Sequence, residues 1–341
     1  MSVTARSFNP TLDGLRSAVD EDLHAFLRRH SAELPENGEL IDELWRMISA
    51  GGKRLRPAFC YWGYRAGGGE HGAQIVRAAG GLELLHTFAL VHDDIMDTSD
   101  ERRGQPTVHA LHGIPVAVLA GDLALVLADS CLIESGFDVQ QMSRAMHAYQ
   151  MMRQEVIAGQ YLDVRAEVRT SMTENEARRI AVLKSGRYSI EKPLIIGACL
   201  AGASDEVVSH LAAAGEPLGE AFQFRDDLLG TFGERAATGK PVDSDIREGK
   251  RNLLYARTLA SLSGDDRAFF VEKWGGRESL TEGEVGDLRT LIEASGARAG
   301  VETLTFELAE VARAHLKQAP IDPEARAALL SLADQAINRL V

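Results

Sequence analysis

The chain has 341 residues, of which 45% are hydrophobic and 26% charged, and its formal net charge is -13. Those proportions are ordinary for a globular protein, and the acidic balance excludes the basic footprint that nucleic-acid binding needs. An anionic ligand would require local basic side chains or metal ions to overcome that field.

Apolar residues recur at spacings of three and four almost throughout, and strand-like alternation is scarce, which predicts an all-helical chain. "MSVTARSFNPTLDGLRSAVDEDLHAF" lacks the apolar h-region of a signal peptide. Residues 1–35, carrying the amphipathic "LRSAVDEDLHAFLRRH", are expected to form a helical extension packed on the domain. After the turn "PENG" comes "SAGGKRLRPAF", residues 49 to 59, where glycines end one helix and another starts near Pro57. A glycine turn feeding a helix N-terminus offers N–H groups and a favourable dipole to an anion, and Lys53 and Arg56 add charge there. Taken alone, this stretch reads by default as a solvated basic turn.

The stretch "LELLHTFALVHDDIMDTSDERRGQPTVH", residues 82 to 109, joins an apolar helix to three aspartates and two arginines. Asp93 and Asp97 are four apart and share a helical face, with Asp94 three from Asp97. Like charges so close repel, and magnesium, which takes hard oxygen ligands from one or two carboxylates and phosphates, is a reason to hold them. The bland alternative is a solvated acidic helix end, against which the apolar approach "TFALV" weighs. His86 lies two turns before Asp93 on nearly the same face; it is either a ligand contact or a satisfied core histidine. Arg102 and Arg103 either bind an anion or pair with Asp100 and Glu101 at the surface, where such pairs contribute little.

Residues 114 to 133, "IPVAVLAGDLALVLADSCLI", form the longest apolar segment. Asp122 and Asp129 lie well inside it, which a lipid-spanning helix rarely tolerates, so a buried core helix and no membrane span are expected. Further on, "VLKSGRY" places Lys184 and Ser185 beside Gly186 at an expected helix interruption. "GEAFQFRDDLLGTFG" then runs again from apolar helix into paired aspartates, Asp226 and Asp227. Helical bundles build metal sites from such facing carboxylates. Residues 233 to 252 form the longest polar, glycine-containing loop, a candidate lid carrying Lys240 and Lys250. The breaks are short turns rather than linkers, which predicts a single domain. Cys60, Cys131 and Cys199 are widely spaced and odd in number, with no metal spacing, and fit a reducing cytoplasm.

Five segments, "GGKRLRP", "LVHDDIMDTSDERRGQPT", "KSGRYS", "FQFRDD" and "GKPVDSDIREGKRNLL", together resemble the trans-prenyl diphosphate synthases, the helical head-to-tail prenyltransferases. They occur in the family's order and span about two hundred residues. The resemblance implies the isoprenoid synthase fold, an all-α bundle around a deep central cavity, as a homodimer. It implies condensation of isopentenyl diphosphate with an allylic diphosphate (dimethylallyl, geranyl or farnesyl) with the help of three magnesium ions. Asp93, Asp94 and Asp97 resemble the ligands of two ions, and Asp226, supported by Asp227, that of a third. Lys53, Arg56, His86 and Arg103 resemble the isopentenyl diphosphate site. Arg102, Lys184, Lys240 and Lys250 resemble the clamp on the allylic diphosphate, with Ser185 and Gln223 near the developing cation.

One position departs from the family: the second acidic motif commonly reads DDxxD, and here "DDLLG" ends on Gly230, which has no side chain to bind metal. Product length is expected to depend on Leu85, Phe88 and Ala89. An uninserted first motif with one aromatic five residues ahead resembles geranylgeranyl (C20) synthases, with farnesyl or C25 and longer products as alternatives. A class I terpene cyclase would carry a different second metal motif and has no need of "GGKRLRP"; a head-to-head synthase is disfavoured by the same site. A non-catalytic partner subunit would be expected to lose the aspartates and basic residues retained here, and a structural helical scaffold leaves the ordered motifs unexplained.

Overall fold

The structure, a computed structural model, describes residues 12–233, 243–275 and 280–337. Nearly all of them are helical. Two compact units are distinguished, Met1–Ala145 with Ile196–Ala203, and Met146–Ile195 with Ser204–Val341.

In the first unit α1 (Leu12–Glu33), α2 (Gly38–Ser49), α3 (Leu55–Ala66), α4 (Ala73–Met96), α5 (Val108–His112) and α6 (Ile114–Ile133) follow in order. α4 is apolar on most sides because it is packed on most sides, by α1, α2, α3 and α6. Glycines let α6 approach it closely. A Cβ on Gly81 would stand 2.8 Å from the Leu132 side chain, and one on Gly121 would stand 2.3 Å from His92.

The expectation that residues 114 to 133 form a buried core helix holds for one face only. Ala117, Ala120, Ala124 and Ala128 are buried, whereas Leu119, Val126 and Ile133 are 57%, 60% and 66% exposed. Their seven-residue spacing, about two turns, aligns them in one stripe. By length and composition this is the one helix among the described residues that could cross a membrane.

Sequence alternation also misses a small hairpin after α4. Glu101–Arg102 (β1) pairs antiparallel with Gln105–Pro106 (β2). Its two central residues, Arg103 (φ 52°) and Gly104 (φ 72°), are both left-handed, as a tight hairpin turn that follows the strand twist requires. Two-residue strands are too short to leave a periodic signature.

The second unit contains α8 (Glu174–Ala181), a π-helical segment Val182–Glu191, and α10 (Asp205–Phe232). α11 (Ser244–Glu248), α12 (Leu253–Ser261), α13 (Gly264–Lys273), α14 (Glu282–Ala294), α15 (Ala297–Gln318) and α16 (Pro323–Ile337) follow. α7 (Val139–Glu167) and α9 (Lys192–Leu200) are the remaining helices. Thr173 and Glu176 form a capping box at the start of α8. Ser204 caps α10, whose first turn carries Asp205 and Glu206 where the helix dipole favours them. α10 packs along α15 and the π segment. Its Phe224 and Leu228 join a core in which the Tyr255, Phe270 and Trp274 rings lie 5.1 to 5.4 Å apart.

The interruption expected near Lys184 is a widened π turn rather than a break. Its cause is close backbone contact. A Cβ on Gly159 would lie 2.4 Å from the Lys184 nitrogen, and one on Gly219 would lie 2.2 Å from the Gly186 carbonyl oxygen. The 233–252 stretch read as one long loop contains α11, and Lys240 lies outside the described residues. All three cysteines are buried and none is in a disulfide; burial pushes the Cys60 thiol up to about 12.

Candidate functional site

α4 carries its aspartates at its C-terminal end, where the helix dipole is already negative, so local structure alone disfavours them there. The last turn brings Asp93 and Asp97 into one column, and the Asp97 amide donates to the Asp93 carbonyl at 2.8 Å. The three carboxylates differ in setting. Asp94 is buried and accepts from Arg102 Nε at 2.7 Å, with Arg102 Nη2 at 2.6 Å. Asp93 and Asp97 are part-exposed, and Arg102 Nη2 stands 3.6 Å from Asp93. The hairpin therefore supplies the cation that compensates Asp94.

The neighbouring group is basic. Gly51 and Gly52 have φ of 115° and 134°, a backbone that favours glycine. Arg103, at the hairpin tip, donates to the Gly51 carbonyl. Lys53 is exposed and Arg56 half-buried. His86 lies among these cations, and its pKa is held well below the usual value, first by burial and then by Arg56, Arg103, Arg102 and Arg54. That shift leaves it uncharged at pH 7. A cleft beside the hairpin is lined by Arg46, Leu90, Asp94, Arg102 and Arg103. Of the residues expected to set product length, Leu85 is fully buried, and Phe88 and Ala89 are half-buried. The Phe88 ring meets His92 edge-on, with centroids 4.9 Å apart.

In the second unit, Gln223 Nε2 donates to Asp227 Oδ1 at 2.7 Å, one helical turn away on α10. The Asp227 carboxyl is pushed well above the usual carboxylate range, first by burial and then by Asp245, with Asp226 adding to the effect. Gly230 has a physical counterpart to its missing side chain, since a Cβ there would stand 2.5 Å from the Asp245 carboxylate. Asp245 occupies the space that a residue at position 230 would need. Lys184 Nζ pairs with Asp163 at 2.6 Å, and Lys250 Nζ lies 3.2 Å from Glu248. Ser185 sits half-buried in the π segment.

Among the described residues no group of three or more His, Cys, Asp or Glu is arranged to enclose a metal ion. The donors present still fit magnesium, which commonly takes one or two carboxylates and completes its shell with water and phosphate oxygens. Asp93 with Asp97, and Asp226 with Asp227, offer hard oxygen donors only. Asp227 is pushed up first by burial, and then by the Asp245 and Asp226 carboxylates, whose crowded negative charge a cation would relieve.

Three site neighbours escape the sequence reading: Arg54, Asp163 and Asp245. Arg54 is hidden within a basic run, Asp163 pairs with Lys184, 21 positions away, and Asp245 crowds Asp227 from 18 positions away, both beyond any local spacing rule.

The polyprenyl synthetase family profile matches residues 38–292. A geranylgeranyl diphosphate synthase of Sulfolobus acidocaldarius is 36% identical over 81% of this chain and 82% of its own length. A geranylfarnesyl diphosphate synthase of Aeropyrum pernix is 34% identical over 86% and 92%. The crystal structure of a geranylgeranyl pyrophosphate synthase from Corynebacterium glutamicum, complexed with isoprenyl diphosphate and magnesium, superposes with a TM-score of 0.92. That similarity covers 97% of this chain and 100% of the other at 35% identity.

Proposed function

The chain belongs to the polyprenyl synthetase family and is a prenyltransferase of the trans-prenyl diphosphate synthase type; from that premise we propose that it elongates an allylic diphosphate with isopentenyl diphosphate to geranylgeranyl diphosphate. The observation that carries the proposal is the gathering of Arg56, Arg102 and Arg103 about His86, beside the acidic end of α4. In a chain of net charge -13, such a cluster is suited to diphosphate, which guanidinium forks grip with directed N–H groups.

Lys53, Arg56, His86 and Arg103 hold isopentenyl diphosphate. Arg102, Lys184, Lys250 and Lys240 (the last outside the described residues) hold the allylic diphosphate. Asp93 and Asp97, with Asp94 compensating Arg102, and Asp226, with Asp227, would hold three magnesium ions. Those ions, when bound, supply Lewis-acid stabilisation of charge on the departing diphosphate. The basic side chains stabilise the same developing charge as the allylic C–O bond breaks. The C3=C4 electrons of isopentenyl diphosphate then form the new C–C bond to the allylic cation. The resulting tertiary cation loses a proton, taken by the released diphosphate, and a new double bond forms. Ser185 and Gln223 present polar groups to the cation, and apolar walls exclude the water that would trap it.

The C20 product rests on the single aromatic Phe88 ahead of the first motif and on similarity to geranylgeranyl synthases. Similarity to a geranylfarnesyl synthase keeps C25 as the second reading. The exposed Leu119, Val126 and Ile133 stripe supports a homodimer, and three buried cysteines with no disulfide support a cytoplasmic setting.

The test is incubation of purified protein with magnesium, isopentenyl diphosphate and each allylic primer, with product lengths resolved. Primer-dependent consumption yielding mainly C20, abolished by a chelator and restored by magnesium, is expected. No consumption by the purified chain would instead indicate a non-catalytic subunit.

A further inference from the structure

We infer that Arg54 is a positioning residue for the isopentenyl diphosphate site, one that never touches the diphosphate and instead locks the turn from which its ligands project. The inference rests on the assignment of Lys53, Arg56, His86 and Arg103 proposed above.

Arg54 has φ 50° and ψ 39°, a left-handed conformation that non-glycine residues rarely adopt without support from their surroundings. Its side chain is 1% exposed. Nε donates to Asp20 on α1 at 2.7 Å, and Nη2 to the Ile48 carbonyl at the end of α2 at 2.6 Å. Nη1 donates to the Gly51 carbonyl at 3.2 Å and to Glu83 on α4 at 3.0 Å. These bonds occupy four of the five guanidinium N–H groups. A group so enclosed has no surface left for a substrate.

Every proposed ligand lies one step from this guanidinium. Lys53 and Arg56 flank Arg54 in the chain, so their separation and direction depend on its backbone angles. Glu83 is three residues before His86 and thus on the same side of α4. Arg103 donates to the Gly51 carbonyl that Arg54 also holds. The fit around that carbonyl is close, since a Cβ on Gly52 would lie 2.8 Å from Arg54 Nη1 and 3.2 Å from Arg103 Nη2. Two carboxylate partners, the buried Glu83 and the part-exposed Asp20, compensate the charge, so the arginine can sit beside other guanidiniums and still orient them. Sites are most effective when supporting contacts fix the groups that bind.

The experiment compares Arg54→Met, Arg54→Lys, Glu83→Gln and Arg56→Ala in the full chain. Binding of isopentenyl diphosphate without metal is measured by calorimetry, KM for each substrate by steady-state kinetics, and folding by circular dichroism. Arg54→Met should weaken isopentenyl diphosphate binding by about 10-fold or more and raise its KM in parallel, with the allylic KM within about twofold. Arg54→Lys should recover part of the loss, because an ammonium reaches fewer of the four partners. If Arg54→Met does not fold, Glu83→Gln carries the same prediction with a smaller shift. Equal weakening of both substrates, or unchanged isopentenyl diphosphate affinity in folded variants while Arg56→Ala loses it, overturns the role of Arg54 alone. Unchanged affinity in Arg56→Ala as well overturns the site assignment beneath it.

Discussion

The buried Asp94 carboxylate and the part-exposed Arg102 guanidinium form a pair in which both Nε and Nη2 approach one carboxylate oxygen, at 2.7 and 2.6 Å. The pair ties the β1–β2 hairpin to the last turn of α4, and more closely than the 3.6 Å approach of Arg102 Nη2 to Asp93 does. Removing Asp94 leaves the part-buried Arg102 charge uncompensated, at a cost of about 1–3 kcal/mol. Asp94→Ala should therefore lower the unfolding temperature as well as turnover. Asp93→Ala and Asp97→Ala should cut turnover by about a thousandfold or more with a smaller loss of heat stability than Asp94→Ala. Thermal denaturation alongside kcat separates them, and an Asp94→Ala protein as heat-stable as Asp93→Ala would remove the distinction.

Gly230 invites the opposite test, restoring the family's third aspartate. The structure argues against any gain. A side chain there would meet the Asp245 carboxylate, beside an Asp227 already strained by burial and by Asp245. Gly230→Ala should destabilise by about 1–3 kcal/mol through overpacking. Gly230→Asp should do worse, because it adds like charge to the same volume. Raised turnover in Gly230→Asp would show that Asp245 moves aside at little cost.

Much of this arrangement is legible in the sequence because helices write their contacts locally. The Asp93–Asp97 column, the Gly51–Gly52 turn and the apolar length of α4 all follow from spacing within one element. What spacing does not carry is pairing across elements. The same pattern that marks Asp94 as a ligand leaves its bond to Arg102 invisible, and Arg54 reads as one more surface cation until Asp20 and Glu83 are seen around it. The π turn at Lys184 is legible only as a glycine irregularity, since the contacts that widen it come from Gly159 and Gly219. α6 misleads for a related reason: its composition is that of a core helix, yet half its circumference is exposed.

Phe88 lies five residues before Asp93 and packs edge-on against His92, which in turn fills the space that Gly121 leaves open on α6. It is thus held by its neighbours rather than free to swing away. Phe88→Ala should open room for further isoprene units, each on the order of one helical turn long, ~5.4 Å, and shift the product from C20 toward C25 and beyond. Chromatography of the reaction products checks this. An unchanged product distribution removes Phe88 as the stop.

His86 gives a prediction in pH. Its folded pKa is depressed well below the usual value, by burial first and by Arg56 and Arg103 next, whereas in the unfolded chain it is about 6.5. As pH falls through that unfolded value, the unfolded state takes up a proton that the folded state refuses, so folding stability declines. The decline attributable to this one residue begins near pH 6.5 and approaches about 1.4 kcal/mol per pH unit below it, until the folded histidine itself titrates. Above pH 7 both states are neutral at this position and the contribution is constant. His86→Gln keeps a neutral hydrogen-bonding side chain and has no proton to refuse. Denaturant unfolding of the two proteins between pH 7 and 5 should show a shallower loss for His86→Gln. Parallel slopes would mean that His86 gains its proton in the folded chain as readily as in the unfolded one, and that the surrounding guanidiniums do not bear on it.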